Sequence, residues 1–115
     1  MTYVDGFVIP VARENREKFL KHARHVDAIF REYGALRVVE CWEDDVPDGK
    51  VTDFRRSVAL GEGEIVVFAW IEWPDKETRD AAFKELPKDP RSEQVPVPFD
   101  GKRMIFGGFT AVVDI

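Results

Sequence analysis

The sequence holds one cysteine, two histidines and no long apolar run, and each scarcity removes a class of function. A single cysteine, Cys41, forbids an internal disulfide. A lone thiol is ordinary in a reducing compartment but would need explaining in a secreted protein. No stretch approaches the roughly 20 apolar residues that span a bilayer, and no basic region followed by an apolar run marks a secretory signal. The expectation is a cytoplasmic protein without a membrane partner. Basic residues are also short: 17 Lys and Arg stand against 22 Asp and Glu, a net charge of −5. That balance repels phosphates, and only Arg55-Arg56 and Lys102-Arg103 place two basic residues side by side. Nucleic acid is therefore not an expected partner. There is no glycine-rich nucleotide fingerprint and no hydrolase elbow. His22 and His25, three apart on one helix, have no third histidine or cysteine pair to complete a metal site, so neither metal nor cofactor is expected.

What is present is an ordinary globular composition, 44% hydrophobic and 34% charged over 115 residues, which suits a single domain spanning 1–115. Tyr3 to Val11 reads as a strand ended by Pro10. Glu14 to Tyr33 carries Phe19, Ala23, Val26, Phe30 and Tyr33 on one helical face, with Asp27 and Arg31 as a supporting pair four apart and Gly34 at the C-cap. Leu36 to Glu43 is a second strand. A turn-rich stretch follows, then a short helix capped by Thr52 or Asp53 and running to about Leu60. Ile65 to Trp73 is the third strand, Asp75 to about Leu86 the second main helix, Lys88 to Pro98 a proline-rich loop, and Arg103 to Val113 the last strand. The order β-α-β-β-α-β predicts an α+β, ferredoxin-like fold, with helices on one face of a four-stranded antiparallel sheet.

Such a sheet should alternate apolar and polar residues, but its last two strands do not. Ile65, Val67, Ala69 and Ile71 back onto Val66, Phe68 and Trp70, while Ile105 and Phe109 back onto Met104 and Phe106. Something must cover the second face, and a second copy is the simplest cover. A homodimer through the sheet face is the expected partner arrangement.

Five residues form the candidate ligand-binding set. His22 shares its wheel position with Ile29 and Tyr33 and so points at the sheet. Glu40, beside Val38 and Trp42, and Glu72, beside Phe68 and Trp70, are carboxylates among aromatics, where desolvation raises a pKa and enables acid–base work. The competing reading pairs both with Arg37, Lys102 or Arg103 near strand ends. Trp42 and Trp70 are candidates to hold a ring, although most buried tryptophans are simply core. Asp5 must either face solvent or be held by partners. Cys41 is expected as a small buried hydrophobe, and Gly107-Gly108 as a bulge or a close approach by another backbone.

Several segments carry a family resemblance: Tyr3-Val4-Asp5-Gly6-Phe7, Glu40-Cys41-Trp42-Glu43-Asp44-Asp45-Val46-Pro47, Gly49-Lys50-Val51-Thr52-Asp53-Phe54, Val66-Val67-Phe68-Ala69-Trp70-Ile71-Glu72-Trp73-Pro74, and the run from Pro98 to Phe109. Together they resemble the YbaA-like bacterial proteins of unknown function over nearly the whole chain. The resemblance implies a dimeric α/β barrel, two ferredoxin-like subunits pressing their sheets together. It also implies a serine where this chain has Ala69. Some relatives bear a label tied to signal-recognition-particle RNA, to which the acidic balance here lends no physical support. Two functions follow as expectations. One is a dimer that binds a small, partly apolar molecule between helices and sheet. The alternative, implied by the superfamily resemblance, is a cofactor-independent monooxygenase or isomerase acting on an aromatic or polyketide-like substrate.

Overall fold

Apolar residues at every third or fourth position from Phe19 onward build α1 (Arg16–Glu32) in a computed structural model that describes residues 2–115. A 3-10 turn over Arg13–Asn15 leads into it, so the regular helix starts later than the pattern predicts. Gly34, with φ of +112°, takes the left-handed position just beyond the helix end. A side chain there would also meet the Thr78 methyl at 2.6 Å.

The strands are β1 (Tyr3–Ala12), β2 (Arg37–Trp42), β3 (Glu64–Trp73) and β4 (Ile105–Thr110). They form one antiparallel sheet in the order β2-β3-β1-β4. Pro10 does not end β1: it pairs with Val66 inside the strand. The reason is register. β4 pairs with β1 only as far as Val8, so at Pro10 one side of β1 has no neighbour to receive the missing N–H. β4 is shorter than the apolar run predicts. Beyond Thr110, the backbone bond that remains among the described residues runs from Ala111 N–H to the Thr2 carbonyl.

Register also decides which strand face meets the helices. Ile65, Val67 and Ala69 pack with Ile9, Val11, Phe19 and Ala23 on the α1 side, and Ile71 and Trp73 pack with Ala35 and with Ala82 of α3 (Lys76–Glu85). Burying one large apolar side chain contributes about 1.5–3 kcal/mol, so this layer is the main source of stability. Asp75 caps α3 by accepting from Thr78 N–H at 2.7 Å. Asp5 lies in the same layer and is 1% exposed. It is held by the Trp73 indole N–H at 2.9 Å and by Arg79 of α3 at 2.9 Å.

The outer face is covered at one end only. α2 (Phe54–Ser57), a single turn capped by Asp53, sets Phe54 edge-on to Phe68, with ring centroids 5.8 Å apart. Val66 and Pro10 at that end are buried, whereas Phe68, Ile105 and Phe109 stay exposed. The helix α2 stops well short of the predicted Leu60. Cys41 is exposed rather than buried, because β2 is an edge strand and Cys41 lies beside Phe68 on this outer face. The proline-rich segment winds into two 3-10 turns, Leu86–Lys88 and Pro90–Glu93, and packs on the helix side. Tyr33 donates to Asp89 and His25 Nε2 meets the Arg91 carbonyl there.

Candidate functional site

Between α1 and the sheet lies a cavity of about 210 Å³. Its walls are largely aromatic: Phe7 from β1, Phe19 and Phe30 from α1, and Phe99 from the segment before β4, with Met104 closing one side. Three polar residues also line it, His22 and Asp27 from α1 and Glu40 from β2. For scale, a dry cavity of about 150 Å³ accommodates benzene. The space therefore suits a single substituted ring.

His22 reaches the cavity because α1 turns its Phe19–Ala23 face toward the sheet. The imidazole stands edge-on to the Phe99 ring, centroids 5.7 Å apart. Burial lowers its pKa and the nearby His25 lowers it further, while the backbone of Pro96 and Val95 pulls partly the other way. The ring is therefore neutral at physiological pH. Its Nδ1 is buried and has no hydrogen-bond partner.

Glu40 sits across β2 and β3 from Ala69 on the helix-side face. Its carboxyl group bonds that of Asp27, and two carboxyls can share a hydrogen bond only if one keeps a proton. Burial raises both pKa values, and the adjacent Asp27 charge raises Glu40 further, to about 9; Asp27 is raised to about 6. At neutral pH the pair holds one proton and one negative charge. Glu40 Oε2, like His22 Nδ1, is buried without a partner. A buried polar atom left unpaired costs about 1–3 kcal/mol.

The five residues singled out in the sequence divide across the sheet. His22 and Glu40 meet in the cavity. Trp70 borders it but turns its ring to the outer face, 5.9 Å from Phe68. Glu72 is also on the outer face, accepting from the Trp70 indole N–H at 2.9 Å and lying 3.8 Å from Arg37. Its separation from Glu40 follows from the pairing of Glu72 with Arg37 and Val4, which belong to the outer face. Trp42 is on the helix side but beyond the cavity, packed 6.0 Å from Phe19 under the Arg16 guanidinium. The pairing of Asp27 with Arg31 read from the sequence does not describe Asp27, whose partner is Glu40. Asp27, Phe99 and Met104 were not legible as site residues. One signal was available for Asp27: it lies about 60° from Phe30 on the wheel, at the border of the apolar stripe. Nothing local marks Phe99 or Met104, which arrive through a long loop. Gly107-Gly108 is no bulge. A side chain at Gly108 would lie 2.2 Å from the Tyr3 hydroxyl, whereas one at Gly107 or Gly6 would make only ordinary contact with the Phe109 ring, at 3.5 and 3.8 Å.

The comparisons with known proteins agree with this fold. Among solved structures, a NIPSNAP domain protein from Burkholderia xenovorans superposes with a TM-score of 0.62 at 20% identity, over 96% of this chain and 94% of that one. A dimeric ferredoxin-like protein from an uncultured marine organism gives 0.56 at 13% identity over the full length of both. At such identities the likeness is one of fold. In sequence, the chain is 53% identical over 116 residues to the uncharacterized protein YbaA of Escherichia coli, covering 99% of each, and equally to its Shigella flexneri counterpart. The family model described as "Protein of unknown function (DUF1428)" matches residues 2–101, so the chain is a member of the DUF1428 family and shares its ferredoxin-like α+β fold with dimeric neighbours.

Proposed function

We propose that the protein is a homodimer that binds a small, partly apolar molecule in the cavity between α1 and the sheet. The observation that carries the binding reading is a largely aromatic space of about 210 Å³ with three polar residues, His22, Asp27 and Glu40, among its lining. His22 and Glu40 are the ligand contacts in this reading. Trp42 and Trp70 brace the walls, and Glu72 fixes the Trp70 ring from the far side. The dimer reading is supported by the exposed Phe68, Ile105 and Phe109 on the outer sheet face, an apolar area that monomers rarely leave to solvent. Two structural neighbours are dimeric ferredoxin-like proteins. A sheet-to-sheet pairing would enclose the hollow of about 490 Å³ bordered by Val8, Phe68, Trp70 and Phe109. This is the dimeric α/β-barrel arrangement.

Calorimetric titration with single-ring aromatics tests the cavity. Saturable binding by the native protein, lost in Ala23→Phe, which fills the space, supports it; identical heats for both would refute it. The Asp27–Glu40 pair favours a second reading, an isomerase in which the shared proton is delivered to and recovered from a substrate carbon. Deuterium exchange into an enolisable cyclic ketone, abolished by Glu40→Gln, is its signature.

A further inference from the structure

Two apolar features of this chain have no cover within it. One is the outer sheet face. There Gly6 pairs directly with Gly107, and with no side chain on either, the Phe109 ring lies over both, in ordinary contact with the two positions. That ring, with Val8, Phe68 and Ile105, borders the outer hollow of about 490 Å³, and the three larger side chains are exposed. The other feature is the segment 111–115. Four of its five residues are apolar, and Val112 and Val113 stand 83% and 74% exposed. Ile105, Gly107 and Phe109 take the outer face by pairing with Val8, Gly6 and Val4. The same every-second-residue pattern runs on through Ala111, Val113 and Ile115, with Asp114 on the opposite side. The chain's own sheet cannot use it. Tyr3, the first residue of β1, already pairs with Thr110, and the segment beyond is tied to the described residues at Ala111 alone.

We propose that residues 111–115 of each copy cross to a second copy of this chain and pack on its outer face, with Val113 and Ile115 covering the hollow between Phe68 and Phe109. The proposal rests on the homodimer reading and names the segment by which each copy completes the other's surface. Reach permits it. Five extended residues span about 16 Å, against about 10 Å between two packed sheets. The occupant follows from economy of contacts. An unrelated partner would have to hide the segment and the hollow by two separate surfaces, whereas a second copy hides both by one contact that two-fold symmetry repeats. The alternation supplies the orientation: with Val113 and Ile115 turned to the partner's sheet, Asp114 turns away from it and keeps its charge in water.

Two measurements test it. In the first, full-length copies labelled at the valine and isoleucine methyls are refolded with copies protonated only at phenylalanine, so that any methyl-to-ring NOE between the two labels is intermolecular. Val113 and Ile115 should show such NOEs to the Phe68 and Phe109 rings. In the second, analytical ultracentrifugation compares the native chain with one ending at Thr110, which keeps all four strands. The dimer dissociation constant should rise at least tenfold. Tenfold is about 1.4 kcal/mol, no more than burying one valine side chain contributes. A native dimer in which the methyls of residues 112–115 show no NOE to the other copy overturns the exchange and leaves the dimer standing, and so does an unchanged dissociation constant. A native chain that is monomeric at low micromolar concentration overturns the exchange and the dimer together. The NOE measurement uses the native sequence, so it decides the question even where the shortened chain fails to fold.

Discussion

Asp27 and Glu40 face each other across the gap between α1 and β2 and bond carboxyl to carboxyl, so the fold keeps a proton where solvent would remove it. Asp27 comes from a helix and Glu40 from an edge strand, and neither element alone carries the pair. Burial and mutual repulsion work in the same direction, which is why Glu40 is raised so far, to about 9. Stability must therefore depend on pH in a definite direction.

Between pH 7 and 9 Glu40 is protonated in the folded chain and ionised in the unfolded one, because its ordinary pKa is 4.5. The folded state binds more protons, so stability falls as pH rises, by at most about 1.4 kcal/mol per unit. Asp27, raised to about 6, is ionised in both states over this window. His22, lowered from 6.5, is neutral in both; its opposite contribution, which rises with pH, lies below the window. Urea denaturation should show the native protein losing up to about 2 kcal/mol between pH 7 and 8.5, with Glu40→Gln losing clearly less. A flat native profile would show that Glu40 is already ionised when folded.

Asp5 is structural, and Arg79 is what makes its burial tolerable. Arg79 bonds both carboxylate oxygens and lies over the Tyr3 and Phe83 rings, 5.3 and 4.5 Å from their centroids. Arg79→Met would keep the stem packing and strand the carboxylate, at a cost of about 3–5 kcal/mol. Arg79→Lys should recover only part of this, since an ammonium cannot repeat the two-oxygen contact. Chemical denaturation at pH 7 ranks the three proteins. A loss under 1 kcal/mol for Arg79→Met would mean that the Trp73 bond alone suffices.

The proposed outer-face interface predicts an asymmetry between two exposed phenylalanines. Phe68 lies on the outer face beside Cys41 and Val8, whereas Phe106 pairs with Phe7 on the helix-side face at the sheet edge, rings 6.1 Å apart. Phe68→Glu should yield monomers in light scattering at low micromolar concentration, because a charge buried without a partner is costly. Phe106 also borders the outer hollow from the sheet edge, so Phe106→Glu should weaken the dimer, but less than Phe68→Glu does. Monomeric native protein would remove the interface altogether.

These contrasts mark what was legible in the sequence. The period of α1 and the two-sided apolar character of β3 are local patterns, and the first led to the right layer, with Phe19 and Ala23 against the sheet. Glu72 and Glu40 looked equivalent because each sits among aromatics two residues away. Register alone separates them, and register is set by pairing across the sheet rather than by neighbours in sequence. Asp27 was read as a partner of Arg31 because four-residue spacing is visible along a helix and a strand on the far side of a gap is not. Cys41 was expected to be buried on the strength of its residue type, but an edge strand with an uncovered face leaves it exposed. The proline-rich segment carried turn signals only, so nothing in it foretold that Phe99 would close the cavity.

Ala69 offers a direct probe of the orphaned Glu40 oxygen. It is the directly paired residue to Glu40 across β2 and β3, it lines the cavity, and it is 2% exposed. Directly opposed residues on one face bring their Cβ atoms within about 4.5–5.5 Å, so a hydroxyl added at this position can reach Oε2. Resemblance to the YbaA-like proteins implied a serine here, and in this chain the methyl of alanine supplies no donor. Ala69→Ser should therefore donate to Glu40, stabilise its ionised form and bring its raised pKa down. The added oxygen would also occupy part of the cavity. Carbon-13 NMR of the Glu40 side-chain carboxyl reads the first effect: its titration midpoint should move from about 9 to lower pH. Titration with single-ring aromatics reads the second, with weaker binding to the variant than to the native chain. An unchanged midpoint together with unchanged binding would place Oε2 out of reach of residue 69.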